Sequence, residues 1–225
     1  MTAPGKCVLV WDWTIRLFHW LIVLGVATMW WTAEQGMMDW HRRVGLVLLG
    51  LLAYRLVWGM IGPGTVRLSR LVPSPGALVA YVRDLLGRRH TPHAGHNPVG
   101  SLSVIAMLLA LVTQVSTGLF SVDVDGLESG PLASKVSFET GRFFAEIHET
   151  SFNVLLALIT LHVVAIAAYY LVFRDNLVRP MLTGRRSEAD FAPHVPIDSR
   201  ASWLRVILSA ALAFGAVSAV WFAGN

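Results

Sequence analysis

The sequence predicts an all-α membrane protein in which four transmembrane helices form a bundle and a fifth packs on its outside. Of its 225 residues, 55% are hydrophobic and only 14% are charged, whereas about a quarter of a soluble domain is charged. The apolar residues gather into five stretches of the length that a helix needs to cross the hydrocarbon core, about 20 residues. These stretches are residues 15–32, 44–61, 99–120, 152–173 and 204–222.

The first stretch is predicted to be a retained helix, because Trp30-Trp31-Thr32-Ala33-Glu34 follows it instead of the small residues of a signal-peptide cleavage site. A short turn at residues 34–39 makes the first two helices antiparallel neighbours. Residues 78–86 favour a short amphipathic helix on the inner surface, and residues 143–149 favour a short helix in the outer segment.

The chain is expected to divide at residue 175. Residues 1–175 would form the bundle, and residues 176–225 would form an inner linker and the fifth helix. The linker contains Pro193 and Pro196, which favour irregular structure. The fifth stretch is rich in alanine and has no histidine, so its predicted role is structural.

The charge distribution predicts the topology. Residues 63–97 carry five arginines against Asp84 alone, and residues 174–200 carry five more, whereas residues 121–149 carry six acids against Lys135 and Arg142. Basic residues collect in cytoplasmic loops. We therefore expect a cytoplasmic N-terminus and a C-terminus on the opposite side of the membrane, and the net charge of +4 does not indicate nucleic-acid binding. The single cysteine, Cys7, excludes an internal disulfide and a cysteine-based metal cluster.

Four histidines match in depth as two pairs. His148 and His162 lie 14 residues apart, about 40° short of four helical turns and roughly 21 Å along the axis. His19 lies at the inner end of the first helix and His41 at the outer start of the second. Haem iron takes two facing imidazoles, and neutral imidazoles add no buried charge. The pairs His19–His162 and His41–His148 therefore predict two stacked haems; the alternative is that these histidines are wetted by lipid headgroups.

The remaining histidines carry less information. His90, His93 and His96 are spaced three apart, which could bind a transition metal. Because Pro92 and Pro98 interrupt any helix that would align them, we interpret the run as a solvated loop. His194 is a lone loop histidine.

Haem propionates need cationic partners, and several arginines are placed to supply them. Arg16 precedes His19 by one turn, while Arg42 or Arg43 and Arg142 are candidates for the outer haem. Arg55 lies 14 residues after His41 at the depth of the inner haem. A charge there is costly unless it is paired, so we expect Arg55 to bind a propionate; the alternative is that it reaches the headgroups.

The residues resemble those of the bacterial cytochrome b561 family, whose superfamily includes the b-type subunits of membrane nickel–iron hydrogenases. The resemblance covers about residues 10–175. It rests on Val10-Trp11-Asp12, Arg16-Leu17-Phe18-His19-Trp20, His41-Arg42-Arg43-Val44-Gly45, Tyr54-Arg55-Leu56-Val57-Trp58-Gly59, and His148 with His162. It implies a b-type cytochrome of the inner membrane with two haem b groups, which passes electrons between quinone and another carrier. By position, His19, His41, His148 and His162 would be the axial ligands of the haem iron.

Three functions remain open at this point. The chain could link the quinone pool to a periplasmic c-type cytochrome or to a hydrogenase-like complex. It could instead be a superoxide:quinone oxidoreductase acting on its own, or a haem-free transporter or scaffold whose histidines relay protons. The acidic outer residues favour the first function, because negative charge attracts a basic cytochrome and repels superoxide. The predicted docking residues are Asp123, Asp125, Glu128 and Glu139.

Overall fold

A computed structural model of the chain describes residues 7–90, 92–93, 95–187 and 200–224. Within these ranges the chain forms seven α-helices and one antiparallel pair of short strands. The helices are α1 (Trp13–Glu34), α2 (Met38–Ile61), α3 (Pro75–Leu86), α4 (Pro98–Phe120), α5 (Phe138–Phe173), α6 (Val178–Thr183) and α7 (Trp203–Gly224), and the strands are β1 (Cys7–Leu9) and β2 (Arg185–Ser187). Five helices, α1, α2, α4, α5 and α7, are long and apolar enough to cross a membrane. The predicted class, an all-α membrane protein, is confirmed.

The turn between α1 and α2 depends on Gly36, which has a φ of +65°. This left-handed conformation suits glycine at a helix C-terminus. The amide of Met37 donates to the carbonyl of Thr32 at 2.8 Å and closes the turn. Farther along the pair, a Cβ on Gly25 would lie 2.4 Å from Leu48 Cδ2. The absence of a side chain at Gly25 therefore lets α1 and α2 approach closely.

Helix α5 is much longer than the sequence predicted. It begins at Phe138 and has 36 residues, so the helix expected at residues 143–149 is present as early turns of α5. The hydroxyl of Ser137 accepts a hydrogen bond from the amide of Thr140 at 3.2 Å and caps the start. Because no glycine or proline occurs between Arg142 and Phe173, nothing interrupts the helix where the polar outer residues meet the apolar span.

The described residues fall into two compact units, each built from three stretches of chain. The first unit contains Met1–Leu17, Trp58–Ala106 and Leu158–Val206. Its two strands pair with Cys7 opposite Ser187 and Leu9 opposite Arg185. The inner linker predicted after residue 175 contains α6 and β2, and residues 188–199, with Pro193, His194 and Pro196, lie outside the described residues. The expected division at residue 175 stays a prediction.

A buried carboxylate starts α1 in the first unit. Asp12 is 1% exposed, and its Oδ1 accepts hydrogen bonds from the amides of Thr14 at 2.7 Å and Ile15 at 3.0 Å. These amides belong to the first turn and have no partner within the helix. The second carboxylate oxygen accepts from Nε1 of the buried Trp58 at 3.3 Å. One side chain thus caps α1 and ties it to the end of α2.

The second unit contains Phe18–Val57, Met107–Ala157 and Ile207–Asn225. Here α7 lies against α2, since a Cβ on Gly50 would stand 3.1 Å from Val217 Cγ2. Ser209 and Ala213 are the buried residues of α7. Gly50 lets the two helices approach closely at this contact, and the structural role of the fifth helix stays a prediction.

Candidate functional site

The second unit encloses a cavity of about 480 Å³, within the size range of ligand sites. Side chains of α1, α2, α4 and α5 line it, together with residues of the outer segment that follows α4. Most of the lining is apolar, including Val26, Leu46, Leu111 and Phe152. Two of the four predicted haem ligands, His41 and His148, contribute to the wall.

His41 and His148 face each other across this part of the unit. Their ring centroids are 6.3 Å apart and the ring planes are inclined at 77°. The Nδ1 atom of His41 lies 3.1 Å from the carbonyl oxygen of Met29, and that of His148 lies 2.9 Å from the carbonyl oxygen of Gln114. A carbonyl can only accept, so each Nδ1 carries the proton and each Nε2 has the free electron pair. This is the tautomer that binds a metal through Nε2.

The side chain of Gln114 makes a second contact with His148. Its Nε2 lies 3.0 Å from His148 Nε2 and donates to it, while its Oε1 accepts from the Ser151 hydroxyl. Because Gln114 Nε2 is the donor, this hydrogen bond indicates that the free electron pair of His148 is on its Nε2 atom. Iron binding at this nitrogen requires the Gln114 amide to move away. Sequence reasoning missed Gln114 and Ser151, whose only signal is that they are polar residues within apolar helices.

Gly118 makes room for the His148 ring. A Cβ at this position of α4 would lie 2.7 Å from His148 Cε1 and 3.0 Å from its Nδ1, closer than non-bonded atoms approach. The glycine therefore sets how near α4 and the histidine can come. In the sequence it looks like any small residue of a membrane helix, and it was not predicted.

The residues of this site fit a haem with two histidine ligands. Metal–imidazole bonds are about 2 Å long, which puts the centres of two rings on opposite sides of one iron roughly 6 Å apart. The observed separation of His41 and His148 is 6.3 Å. The carbonyl of Met29 and that of Gln114 supply the second hydrogen bond that orients a metal-binding imidazole.

The second predicted pair is divided between the units. His19 belongs to the second unit and His162 to the first, and both are partly buried. The ring of His19 packs edge-on against Trp20, with centroids 5.0 Å apart. The pairing of His19 with His162 stays a prediction.

The predicted propionate-binding arginines have protein contacts of several kinds. Arg16 donates to the carbonyl of Leu182 at 2.6 Å, and Arg142 to that of Val122 at 2.9 Å. Arg43 lies over the Trp40 ring, 5.4 Å from its centroid, which is a cation–π distance. Arg55 is 3% exposed, so protein encloses it and the alternative of reaching the headgroups is not supported.

The acidic docking surface is smaller than predicted. Glu128 forms an ion pair with Arg42, and this arginine also binds Asp39. The ion pair neutralises much of the negative charge of Glu128. Asp123 is only partly exposed and has one buried carboxylate oxygen. Asp125 and Glu139 are exposed. Of the four predicted docking residues, Asp125 and Glu139 are therefore the most open to a partner.

The interpretation of the loop histidines as solvated is wrong. In the first unit, Nε2 of His90 lies 2.9 Å from Oδ2 of Asp175, and the two side chains are 6% and 8% exposed. Arg186 binds the other oxygen of Asp175 and donates to the carbonyl of His93 at 3.3 Å. His96 packs against the ring of Trp11 at a centroid distance of 4.7 Å.

Burial would raise the pKa of Asp175, but the hydrogen bonds from Arg186 and His90 outweigh it and hold the pKa below its ordinary value of 3.8. Burial, with the hydrogen bond to Tyr169, raises the pKa of Tyr81.

Within the described residues, no group of three or more histidine, cysteine, aspartate or glutamate side chains could hold a metal ion. The cluster of His90, Asp175 and Arg186, called the inner clasp below, is a buried ion-pair network.

A family model described as prokaryotic cytochrome b561 matches residues 10–184 of the chain. A search of curated proteins gives no match. The family match covers most of the chain and includes four of the five candidate spans and all four histidines of the two predicted pairs. The chain therefore belongs to the prokaryotic cytochrome b561 family, and this membership implies b-type haem binding and electron transfer in a membrane.

Proposed function

We propose that the chain is a di-haem b-type cytochrome that carries electrons across the bacterial inner membrane. It would connect the quinone pool with a redox partner such as a periplasmic c-type cytochrome or a hydrogenase-like complex. The observation that carries this proposal is the facing pair His41 and His148, with each Nδ1 bonded to a backbone carbonyl. A bound haem supplies a one-electron iron couple whose potential depends on its ligands and surroundings.

For the outer haem, the chain contributes two neutral imidazoles held by rigid partners. The carbonyls that orient His41 and His148 belong to α1 and α4, so each ring is fixed by a helix other than its own. Neutral ligands avoid placing an unpaired charge in the apolar cavity. Arg43 and Arg142 are proposed to serve the propionates, together with Arg42, which lines the cavity.

For the inner haem, the proposed ligands are His19 and His162. Helix α5 runs without interruption through His148 and His162, so the same face carries both, about 21 Å apart along the axis. Arg55 lies 14 residues after His41, at the depth proposed for this layer, and is 3% exposed. We propose a propionate for Arg55, with Arg16 as a second contact.

A superoxide:quinone oxidoreductase is the second candidate. In this reaction two superoxide ions each lose one electron to become dioxygen, and quinone takes up those two electrons and two protons. The observation in its favour is the ion pair of Glu128 with Arg42, which leaves less negative charge to repel superoxide. Quinone reduction by the purified protein with superoxide as the sole electron donor would support this candidate. If no such reduction occurred, the function with a protein redox partner would be favoured.

Single alanine variants of the four histidines test the assignment. His41→Ala and His148→Ala should lose the same haem in a potentiometric titration of the visible spectrum, whereas His19→Ala and His162→Ala should lose the other. His93→Ala is the control and should keep both. Loss of different haems in His41→Ala and His148→Ala would contradict the pairing.

A further inference from the structure

Helix α3 presents an exposed apolar stripe. Ser74 starts the helix by accepting a hydrogen bond from the amide of Ala77 at 3.2 Å, and Pro75 occupies its first position. Val79, Val82 and Leu86 are 68%, 37% and 81% exposed. At about 100° per residue, these three side chains fall within an arc of roughly 60°. Among the described residues, nothing covers this stripe.

On the side of α3 away from this stripe, Tyr81 anchors the helix to the spanning helices. The hydroxyl of Tyr81 lies 2.8 Å from that of Tyr169, which is four residues before the end of α5, about 6 Å along the axis. Asn97 donates to the same hydroxyl at 3.2 Å and directly precedes α4. Tyr81 thus docks α3 at the level where two spanning helices end. This level is the boundary between the hydrocarbon core and the headgroups.

The charges on and next to α3 are mostly positive. Arg83 lies in its last turn, and Arg88 and Arg89 follow the helix; all three are exposed. Asp84 is the only acidic residue of the segment 63–97, and it lies about 140° around the helix from Val79. Apolar side chains beside a group of arginines at this depth are the pattern that binds an anionic membrane surface.

We propose that α3 is an interfacial helix that binds anionic phospholipid. Val79, Val82 and Leu86 insert at the boundary between acyl chains and headgroups. Arg83, Arg88 and Arg89 bind the phosphates of the same leaflet, while Asp84 faces water. The occupant is lipid rather than a second protein, because α3 is anchored where α4 begins and α5 ends and carries exposed arginines beside the stripe.

Spin labels on single cysteines test this proposal in proteoliposomes. In a Cys7→Ser background, which removes the single cysteine, Val79→Cys and the control Asp84→Cys are labelled, and the visible spectrum verifies the fold. Collision with lipid-soluble oxygen should be several-fold greater at position 79 than at 84, and collision with a water-soluble nickel chelate should be several-fold smaller. Replacing neutral lipid with anionic lipid should move the label at position 79 deeper, and Arg83→Gln, Arg88→Gln and Arg89→Gln together should remove that response.

Three results would overturn the proposal. Equal access of the nickel chelate to positions 79 and 84 would mean that water covers the stripe. Poor access of both reagents to position 79 would mean that protein covers it. A depth at position 79 that does not depend on anionic lipid would refute the role of the three arginines.

Discussion

At position 118 of α4 there is space for the His148 ring and none for an additional carbon atom. Gly118→Ala should therefore displace His148 and weaken binding of the outer haem by about ten- to a hundredfold, the usual effect of disturbing a residue that orients a metal ligand. The amplitude of the corresponding step in a redox titration of the isolated protein measures this. Gly215→Ala is the matched control, because a Cβ on Gly215 in α7 meets no atom within 4 Å. Equal haem content in both variants would show that the His148 ring does not depend on Gly118.

The residues that could be predicted from sequence are those whose chemistry is rare in a membrane helix. A histidine or arginine in an apolar span is conspicuous, and His41, His148 and Arg55 were identified for that reason. Gly118 and Gln114 were not, because glycine and glutamine have several common uses in membrane helices. The hydrogen bond that orients His148 is accepted by the backbone carbonyl of Gln114. Every residue has such a carbonyl, so residue types alone do not indicate this bond.

At the level of elements, Asp12 joins the start of α1 to the end of α2. Asp12→Ala removes a helix cap and leaves the indole N–H of Trp58 buried without its acceptor. We expect a loss of about 2–4 kcal/mol in the free energy of unfolding, measured by denaturation in detergent. Asp12→Asn keeps an oxygen acceptor and should lose less. If the alanine variant were as stable as the native chain, the cap would have no energetic role.

The inner clasp makes stability depend on pH in a defined direction. Because the pKa of Asp175 in the folded protein lies below 3.8, its ion pair stabilises the fold fully above that value and progressively less as the pH falls toward the folded pKa. Arg186→Gln leaves a buried carboxylate without its main partner and should cost about 3 kcal/mol at neutral pH. The difference from the native chain should narrow at acidic pH. A difference that stays constant from pH 7 to pH 3 would contradict this account.

The presence of the spanning helices could be predicted from the sequence, but the residues at which they begin and end were harder to predict. The spans follow from apolar length alone, which is why all five were found. The start of α5 was misplaced because its outer turns are polar, and apolar content was used to locate the span. The inner clasp was missed because His90 and Asp175 are 85 positions apart, and no local pattern links them.

For the whole molecule, the predicted topology is five crossings from a cytoplasmic N-terminus, which would put the C-terminus in the periplasm. A reporter that is active only in the periplasm should therefore be active when fused after Asn225, and the same reporter fused after Gly87, in the arginine-rich loop, should be inactive. A reporter active only in the cytoplasm should give the opposite pattern. Cytoplasmic activity at Asn225 would mean that one helix does not cross, and α7 would be the first candidate.

The central claim is that the chain holds two haems in two layers, each between a pair of histidines. Haem content per chain tests it most directly, using the pyridine haemochrome absorbance and the protein concentration from quantitative amino-acid analysis. The account predicts two haem b per native chain and one per chain in His41→Ala, with the remaining haem still low-spin. A native chain that binds a single haem when fully loaded would contradict the two-layer arrangement.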